Sequence, residues 1–426
     1  MILFFVIFLL LQAVLTFVAV PAKSITRVML HDLYAQKDLS VVFVGASRIY
    51  RGIDPNQLDE LIGTSSFDLS SGNQGMVDSY YLLAEMYKQS SPDLIVLDVN
   101  WRRFEPKSTV GALLPYINMK KSENKLSYLL NGFVPDDYLK AVFPGLNYPE
   151  KLLSTDIIKN PMKKLSSDYR NYIYDYPDTG YYAGKGFSRN TNSMLNGNMG
   201  QVTVPKWNSA LIDEESILYF EKIVSLCRKN NSRIICIVPP VPLPVLMEMK
   251  DYSSCDGYIR NLVESQGLEY YNFNLLRPEV YTAKEEYYFD EVHMSGKGAF
   301  AFTGIMASFI SEYRSGSLDI GKYLLQSYEE LVASSPRILN TWLELDASGE
   351  RFLARANTGS GLTPEYEFLY KSEQDGEYAV LYSYAQRTDF PVAGLAPGKY
   401  TIRVNTRPQG SAAAYEQYDE TAYTKK

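Results

Sequence analysis

Short apolar segments alternate with amphipathic helical segments between about residues 38 and 315, and this alternation limits the possible folds more than any other feature. The clearest apolar segments are VVFVGAS at 41–47, DLIVLDV at 93–99, RIICIVPP at 233–240 and LEYYNFNL at 268–275. Strands of this kind, separated by helices, pair in parallel and are covered on both faces. The sequence therefore predicts a three-layer α/β/α domain with a parallel sheet, within residues 23–330.

The N-terminal segment MILFFVIFLLLQAVLTFVAVPA, residues 1–22, contains no charged residue. About 20 apolar residues are enough to cross a bilayer as one helix. The segment is predicted to be a retained transmembrane signal anchor, with a signal peptide cleaved after Ala22 as the alternative. Lys23 and Arg27 follow it, which by the positive-inside rule favours a cytoplasmic body. Because a short basic head can precede such a segment, the expectation is a single-pass membrane protein with its main domain outside the cytoplasm.

Three regions lie outside the alternating pattern. Residues 105–210 are rich in Tyr, Asn, Pro and Lys and show little periodicity. They are predicted to be an insertion that shapes the mouth of the active site, or alternatively a peripheral helical decoration. Residues 337–410 contain alternating strands joined by Gly, Asp and Pro turns, which predicts a small β-sandwich domain. Residues 411–426 are small and polar, and a flexible tail is predicted there.

Composition argues against several classes of function. The net charge is -7 and no long basic run occurs, so nucleic acid is not expected as a partner. The three cysteines have no C-x-x-C spacing and there are only two histidines, so no metal or other cofactor is expected. The 35 tyrosines are an excess that suits surfaces both apolar and hydrogen-bonding, such as sugar-binding faces.

A serine lies where the first predicted strand ends. Ser47 follows VVFVGA directly, and ligands of an open parallel sheet bind beyond the carboxyl ends of its strands. A serine nucleophile also needs a general base, normally a histidine held by a carboxylate. His293 follows Asp290 by three residues, a spacing that lets the carboxylate hold Nδ1 while Nε2 faces outward. The alternatives are a turn serine without chemistry and a turn that Asp290 caps and His293 covers.

Gly-x-Ser after the first strand and Asp-x-x-His before the last helix resemble the end blocks of the SGNH/GDSL hydrolase superfamily. The pattern Asp-x-x-His-x-x-x-x-Gly-Ala, from Asp290 to Ala299, is similar to that of membrane-anchored bacterial members. These include the DltD-type proteins of teichoic acid D-alanylation and the proteins of alginate and peptidoglycan O-acetylation. The resemblance covers roughly residues 38–315. It implies a triad in which Ser47 is the nucleophile, His293 the general base and acid, and Asp290 the residue that orients it.

The same resemblance implies an oxyanion hole. The second family block is a glycine in an Asn/Ser/Gly turn, which SSGNQG matches with Gly72 as the natural counterpart. The backbone N–H groups of Gly72 and Ser47 would be the donors. The third block, Gly-x-Asn-Asp, is absent, because the chain reads Asn-Trp-Arg-Arg from residue 100. Asn100 is therefore the candidate for a side-chain donor, with Arg102 as the other candidate.

Three side chains near these blocks are candidates for substrate binding. Arg48 directly follows the nucleophile and suits a phosphate or carboxylate, or else forms a salt bridge at the rim of the sheet. Trp101 and Arg102 follow the strand at 93–99 and are expected to line the groove. A tryptophan at a strand end serves packing equally well.

Together these inferences predict a membrane-anchored, extracytoplasmic serine O-acyltransferase or acylesterase that acts through a covalent acyl-enzyme. The resemblance implies acetyl or D-alanyl as the acyl group, a cell-envelope polysaccharide as the acceptor, and an integral membrane acyltransferase as a partner. One alternative is a secreted SGNH lipase or thioesterase, against which a tyrosine-rich groove argues because lipid pockets are more aliphatic. The other is a catalytically degenerate glycan-binding or scaffolding protein of the cell envelope.

Overall fold

The computed structural model describes residues 2–176, 180–192, 207–249, 251–282, 285–335, 337–359, 361–373 and 376–425. The helices are α1 Ile2–Ala19, α2 Ile25–Leu33, α3 Ser47–Tyr50, α4 Pro55–Ile62, α5 Met76–Met86, α6 Thr109–Asn118, α7 Glu123–Gly132, α8 Tyr138–Val142, α9 Pro149–Leu152, α10 Asp156–Leu165, α11 Ser167–Arg170, α12 Glu214–Lys229, α13 Leu243–Glu248, α14 Tyr252–Ser265, α15 Gly296–Ser315, α16 Ile320–Tyr323 and α17 Tyr328–Ser334. The strands are β1 Val41–Gly45, β2 Ser66–Ser70, β3 Leu94–Asp98, β4 Asp175–Tyr176, β5 Gly180–Gly184, β6 Phe187–Asn190, β7 Arg233–Val238, β8 Glu269–Asn272, β9 Ile338–Leu345, β10 Arg351–Thr358, β11 Pro364–Ser372, β12 Ala379–Ala385, β13 Asp389–Pro391, β14 Gly398–Pro408 and β15 Gln417–Lys425.

Five strands form the predicted parallel sheet, in the order β2-β1-β3-β7-β8. Every residue of β1 is buried, because side chains alternate between two covered faces. Val42 and Val44 pack in the hydrophobic cluster that includes α5 and α12. Val41 and Phe43 pack in the opposite cluster with α4 and α15. The prediction of a parallel sheet with helices on both faces is confirmed.

The strand order places β1 between β2 and β3. Because the three strands are parallel and in register, their carboxyl ends lie at one edge of the sheet. The chain leaves β2 and β3 on the two sides of the turn that follows β1. Such an edge is where open α/β sheets bind ligands.

Helix α1 occupies the apolar N-terminal segment, and the insertion packs against its end. The last turn of a helix leaves carbonyl groups without intrahelical partners. Asn160 of α10 donates its Nδ2 to the carbonyl oxygens of Val18 and Val20, at 2.6 and 2.7 Å. The sequence predicts a transmembrane helix here; within the described part of the chain, no helix has the combination of length and apolar character needed to cross a membrane.

The C-terminal region consists of two antiparallel sheets, ordered β13-β10-β9 and β12-β11-β14-β15. Both sheets contribute to one hydrophobic cluster, in which Phe352 of the first sheet packs with residues such as Phe368 and Ile402 of the second. The prediction of a flexible tail at 411–426 is contradicted at residues 417–425, because β15 pairs with β14 from Gly398↔Lys425 to Thr406↔Gln417. Tyr418 is buried there under the guanidinium of Arg403, 3.7 Å from its ring centroid.

The insertion at 105–210 combines helices α6–α11 with the sheet β4-β5-β6. Residues 177–179 and 193–206 lie outside the described part of the chain. The turn between β5 and β6 covers the outer edge of the parallel sheet, where the Asp68 N–H of β2 donates to the Lys185 carbonyl oxygen at 2.9 Å. Gly186 allows this approach, because a Cβ there would lie 2.0 Å from the Asp68 carbonyl oxygen.

The carboxyl group of Asp68 is fully buried, and neither of its oxygens has a hydrogen-bond partner among the described residues. Burial, reinforced by the charge of Asp54, raises the pKa of Asp68 well above its ordinary value. Between the ordinary and the raised pKa, the folded state holds a proton that the unfolded state has released. The free energy of unfolding therefore falls as the pH rises through this interval.

We expect Asp68→Asn to remove this pH dependence, because the amide of similar shape does not ionise. Urea unfolding at pH 5 and pH 8 measures the effect: the variant should gain stability relative to wild type at pH 8 and gain less or nothing at pH 5. Asp38→Asn removes the same charge from an exposed position and is the control. Equal changes in the two variants at both pH values would contradict the assignment to Asp68.

Candidate active site

Ser47 lies at the start of α3, two residues after Gly45, which ends β1. Gly45 ends the strand in close contact with β3, since a Cβ at this position would lie 2.6 Å from the Asp98 Cβ and 2.7 Å from the Ile49 Cγ1. The Asp98 carboxylate accepts a hydrogen bond from the Ala46 backbone N–H. The turn that carries the serine is therefore held directly against the end of the neighbouring strand.

Asp290 and His293 lie in the loop that leads into α15. Two backbone hydrogen bonds close this loop, from Phe289 N to the His293 oxygen at 2.8 Å and from Ser295 N to the Tyr287 oxygen at 2.9 Å. Ser295 also caps α15 through its hydroxyl. Gly298 permits the close packing of the helix, because a Cβ there would lie 1.9 Å from the Tyr287 carbonyl oxygen.

The three side chains form a continuous hydrogen-bond chain. His293 Nε2 lies 2.7 Å from Ser47 Oγ, and His293 Nδ1 lies 2.7 Å from Asp290 Oδ2. Asp290 Oδ1 accepts from the backbone N–H groups of Val292 and His293, at 2.9 and 2.8 Å. This arrangement gives the serine hydroxyl a proton acceptor and gives the imidazole a fixed orientation.

The carboxylate of Asp290 is stabilised in its ionised form. Its partial burial acts to raise the pKa, but the hydrogen bond and charge of His293 and the backbone N–H groups outweigh this effect. The pKa of Asp290 therefore lies below its ordinary value. An ionised acceptor at this position favours a proton on Nδ1, which leaves Nε2 free to accept the serine proton.

Comparison with known proteins gives only distant likenesses. No protein-family model matches the sequence, and no curated protein matches it. A GDSL-like lipase from Bacteroides thetaiotaomicron VPI-5482 is 12% identical, with a TM-score of 0.31 over 68% of this chain and 96% of that one. The acetyl xylan esterase Est2A from the rumen bacterium Butyrivibrio proteoclasticus is 9% identical, with a TM-score of 0.26 over 66% and 65%. Likenesses at this level carry no functional argument.

Gly72 lies in the turn that follows β2, at the same edge of the sheet as Ser47. Gln74 holds this turn: its Nε2 donates to the Leu69 oxygen at 3.2 Å, and its Oε1 accepts from the Ser71 hydroxyl at 3.0 Å. Arg103, from the segment after β3, donates to the Gln74 carbonyl oxygen. Contacts to β2 and from the segment after β3 therefore hold this turn in place.

Asn100 follows β3 and is buried at 9% exposure. Its Oδ1 accepts from the Arg102 N–H at 3.2 Å and begins the short 3-10 helix Trp101–Phe104. Because the oxygen is committed to this cap, the Nδ2 is the group of Asn100 that remains to serve as a donor. Asn100 also lines a cavity to which Arg48, the residue after Ser47, contributes.

The three predicted substrate-binding residues meet in one cavity of about 140 Å³, which we call the acyl-side cavity. Arg48, Trp101 and Arg102 contribute to its wall together with Asn100. Glu291 and Val292, which separate Asp290 from His293, contribute as well. The remaining described lining comes from the segment 238–274, namely Val238, Val241, Val245, Leu246, Met249, Tyr252, Cys255, Asp256, Ile259, Tyr270 and Asn274.

Arg48 is half-buried in this wall. Burial lowers the pKa of its guanidinium to about 10, although the nearby Asp98 carboxylate acts in the opposite direction. Asp98 is itself buried, and burial raises its pKa despite Arg103, whose Nε lies 3.7 Å from Asp98 Oδ2. Arg48, Arg103 and Asp98 thus form one charged cluster next to the turn that carries Ser47, in which the carboxylate partly offsets the two positive charges.

Several residues that position the loops of the site are not predicted by the sequence analysis. Asn190 of β6 donates its Nδ2 to the Met294 carbonyl oxygen at 2.7 Å, beside His293, and accepts from Arg51 in the segment after α3. The insertion therefore reaches the triad, as a brace for its loops, whereas no described residue of 105–210 lines the acyl-side cavity. For Asp98 the sequence offers one indication of a role at the site, namely an acidic residue at the end of an otherwise apolar strand.

Proposed function

We propose that this protein is a serine-dependent acyl-ester hydrolase or acyltransferase. The observation that carries the proposal is the hydrogen-bond chain from Ser47 Oγ through His293 to Asp290, with 2.7 Å at each step. A structural role for these residues would not require the serine hydroxyl to face the imidazole across a separation of 246 residues in sequence. The same geometry weighs against a degenerate, purely binding protein.

In the first half of the reaction, Ser47 Oγ attacks the carbonyl carbon of the acyl donor and gives its proton to His293 Nε2. The carbon–oxygen bond to the alcohol breaks, and the imidazolium returns the proton to the leaving alkoxide. In the second half, water or an acceptor hydroxyl attacks the acyl-enzyme and gives its proton to Nε2. Collapse then restores the Ser47 hydroxyl and releases an acid or a new ester.

The negative charge that develops on the carbonyl oxygen needs hydrogen-bond donors. The candidates are the backbone N–H groups of Ser47 and Gly72 and the Nδ2 of Asn100, which follow three adjacent strands at the same edge of the sheet. Each such donor typically contributes about 3 kcal/mol to transition-state stabilisation. Arg102, the other candidate for the third donor, lines the acyl-side cavity together with Asn100.

The biological setting stays a prediction. A cell-envelope polysaccharide as acceptor, an integral membrane acyltransferase as partner and an extracytoplasmic location are all expected from the resemblance of the motifs. The α1 segment is the proposed point of membrane attachment, and most of its larger apolar side chains are exposed, including Leu3, Phe4, Leu9, Leu10 and Leu11.

A fluorophosphonate probe tests the chemistry without knowledge of the substrate, because it forms a stable Ser–O–P bond with loss of fluoride only at an activated serine. We expect one covalent adduct by intact mass, mapped by peptide sequencing to Ser47. The adduct should be absent in His293→Ala, in which Ser47 is present but not activated. No adduct, or an adduct at another serine, would contradict the proposal.

A further inference from the structure

We infer that the acyl group of the substrate is an unbranched hydrocarbon chain of about six carbons, and that Val241 and Leu246 set its length. This inference rests on the proposed function and specifies its substrate. It differs from the acetyl or D-alanyl group that the sequence motifs imply. The inference is drawn from the acyl-side cavity: from its location, the chemistry of its wall, its volume and the partition at its far end.

The wall of the cavity includes residues that adjoin the proposed triad in sequence. Its wall includes Arg48, the neighbour of the nucleophile, and Val292, the neighbour of the base. It also includes Asn100, the proposed donor to the carbonyl oxygen. Ser47, Asp290 and His293 are not in the described lining, so an ester carbonyl bound between Ser47 and Asn100 would reach the cavity on its Asn100 side.

The deep wall of the cavity is aliphatic. Val238, Val241, Val245, Leu246, Met249 and Ile259 line it, and all six are buried at 8% exposure or less. Of the 35 tyrosines in the chain, Tyr252 and Tyr270 are the two that belong to the described lining. Both hydroxyls face polar partners, since Asn272 and Asn274 donate to the Tyr252 oxygen and Tyr270 donates to Asp256. The wall thus offers methyl and methylene groups to a ligand.

The wall is poorly suited to a D-alanyl group. That group carries an ammonium, and burying an ammonium against aliphatic side chains is costly unless a carboxylate pairs with it. Asp256, the acid in the inner wall, already accepts from Tyr270 at 2.7 Å and Asn272 at 2.5 Å. Glu291 is exposed at the surface, and Arg48 and Arg102 add positive charge to the same cavity.

The volume of the cavity, about 140 Å³, exceeds what an acetyl methyl group fills. An apolar protein cavity of about 150 Å³ is known to hold a benzene molecule, which has six carbons. A chain of about five or six carbons beyond the carbonyl would therefore fill the space. A single methyl group would leave most of the apolar wall without contacts, at a loss of dispersion and burial energy.

A second cavity, of about 370 Å³, adjoins the first. Both cavities are lined by Val241, Leu246 and Asn274, so these side chains form the partition between them. Leu331 of α17 lines the second cavity only. A longer chain would have to displace the partition, and this sets an upper limit on chain length.

The test is a p-nitrophenyl ester series from acetate to dodecanoate, measured on the full chain with the alcohol held constant. For wild type we expect kcat/KM to rise about fourfold with each added methylene up to hexanoate and to fall beyond octanoate. Leu246→Ala opens the partition and should raise the decanoate-to-hexanoate ratio at least about tenfold. Val241→Ala tests the same partition if Leu246→Ala does not fold, as judged by circular dichroism.

Leu331→Ala is the matched control, because it removes the same atoms from the second cavity without opening the partition. Its chain-length profile should equal that of wild type. Ser47-dependent turnover that peaks at acetate, or identical profiles in Leu246→Ala and Leu331→Ala, would overturn the inference and leave the proposed function standing. A chain-length preference seen with alkyl acetates but not with p-nitrophenyl esters would overturn it too, since the cavity would then hold the alcohol. Absence of any Ser47-dependent turnover would overturn the proposed function itself and the inference with it.

Discussion

We expect Ser47→Ala to lower kcat/KM for p-nitrophenyl hexanoate by at least about 10⁴-fold, the largest effect of any single substitution in this chain. The alanine lacks the oxygen that attacks the ester, and His293 alone has no nucleophile to activate. The fold should persist, because the serine hydroxyl contributes one hydrogen bond and its removal leaves a half-buried position without a cavity of consequence. Rapid quenching followed by intact mass should show no acyl adduct.

Ser308→Ala is the control for this experiment. Ser308 lies exposed on α15, the helix that follows the base, and its substitution should leave both the rate and the adduct unchanged. Residual turnover in Ser47→Ala within tenfold of wild type would show that another group attacks the ester, and the assignment of the nucleophile would then be wrong.

The second large effect on kcat/KM is expected from substitutions of His293 and Asp290, which act together as base and orienting carboxylate. We expect His293→Ala and Asp290→Asn each to lower kcat/KM by about 10³–10⁴-fold, the first through loss of the proton acceptor and the second through loss of its orientation. The Asp290→Asn variant would keep the shape of the side chain, but its amide can turn its Nδ2 towards the ring and place the wrong tautomer opposite Ser47.

The double variant distinguishes this unit from two separate contributions. If Asp290 acts only through His293, the double variant should lose no more activity than His293→Ala alone. A product of the two single losses would instead indicate that Asp290 contacts the substrate or stabilises the reaction independently. Unfolding by urea at the assay pH, compared across the three variants, separates catalytic loss from loss of the fold.

Much of the parallel-sheet domain could be predicted because its signals are local. The run VVFVG is buried on both faces and needs no knowledge of its neighbours to be recognised as a strand. Helix α4 begins where Asp54 caps it through its side chain, with Pro55 at the first position, and it is ended by Gly63 with φ +61°. Each of these boundaries depends on residues within one turn of it.

The parts that could not be predicted depend on contacts between distant segments. Asn190 and Asn160 lie in an insertion with little periodicity, and their roles follow from partners more than 100 residues away. The strand β15 contains small and polar residues whose alternation is weak, and it forms because β14 offers a full edge for pairing. The acyl-side cavity likewise cannot be recognised in the sequence, because its wall combines residues as far apart as Arg48 and Val292.

The serine and its base come from opposite ends of the parallel-sheet domain, 246 residues apart. During translation at about 5–20 residues per second, Ser47 is therefore synthesised about 12–50 s before His293. Throughout that time the nascent chain carries an ordinary, unactivated hydroxyl. Under the proposed function, reactivity begins only when α15 docks and brings the loop with Asp290 and His293 onto the finished sheet, so the chain would not react with esters before the parallel-sheet domain is complete.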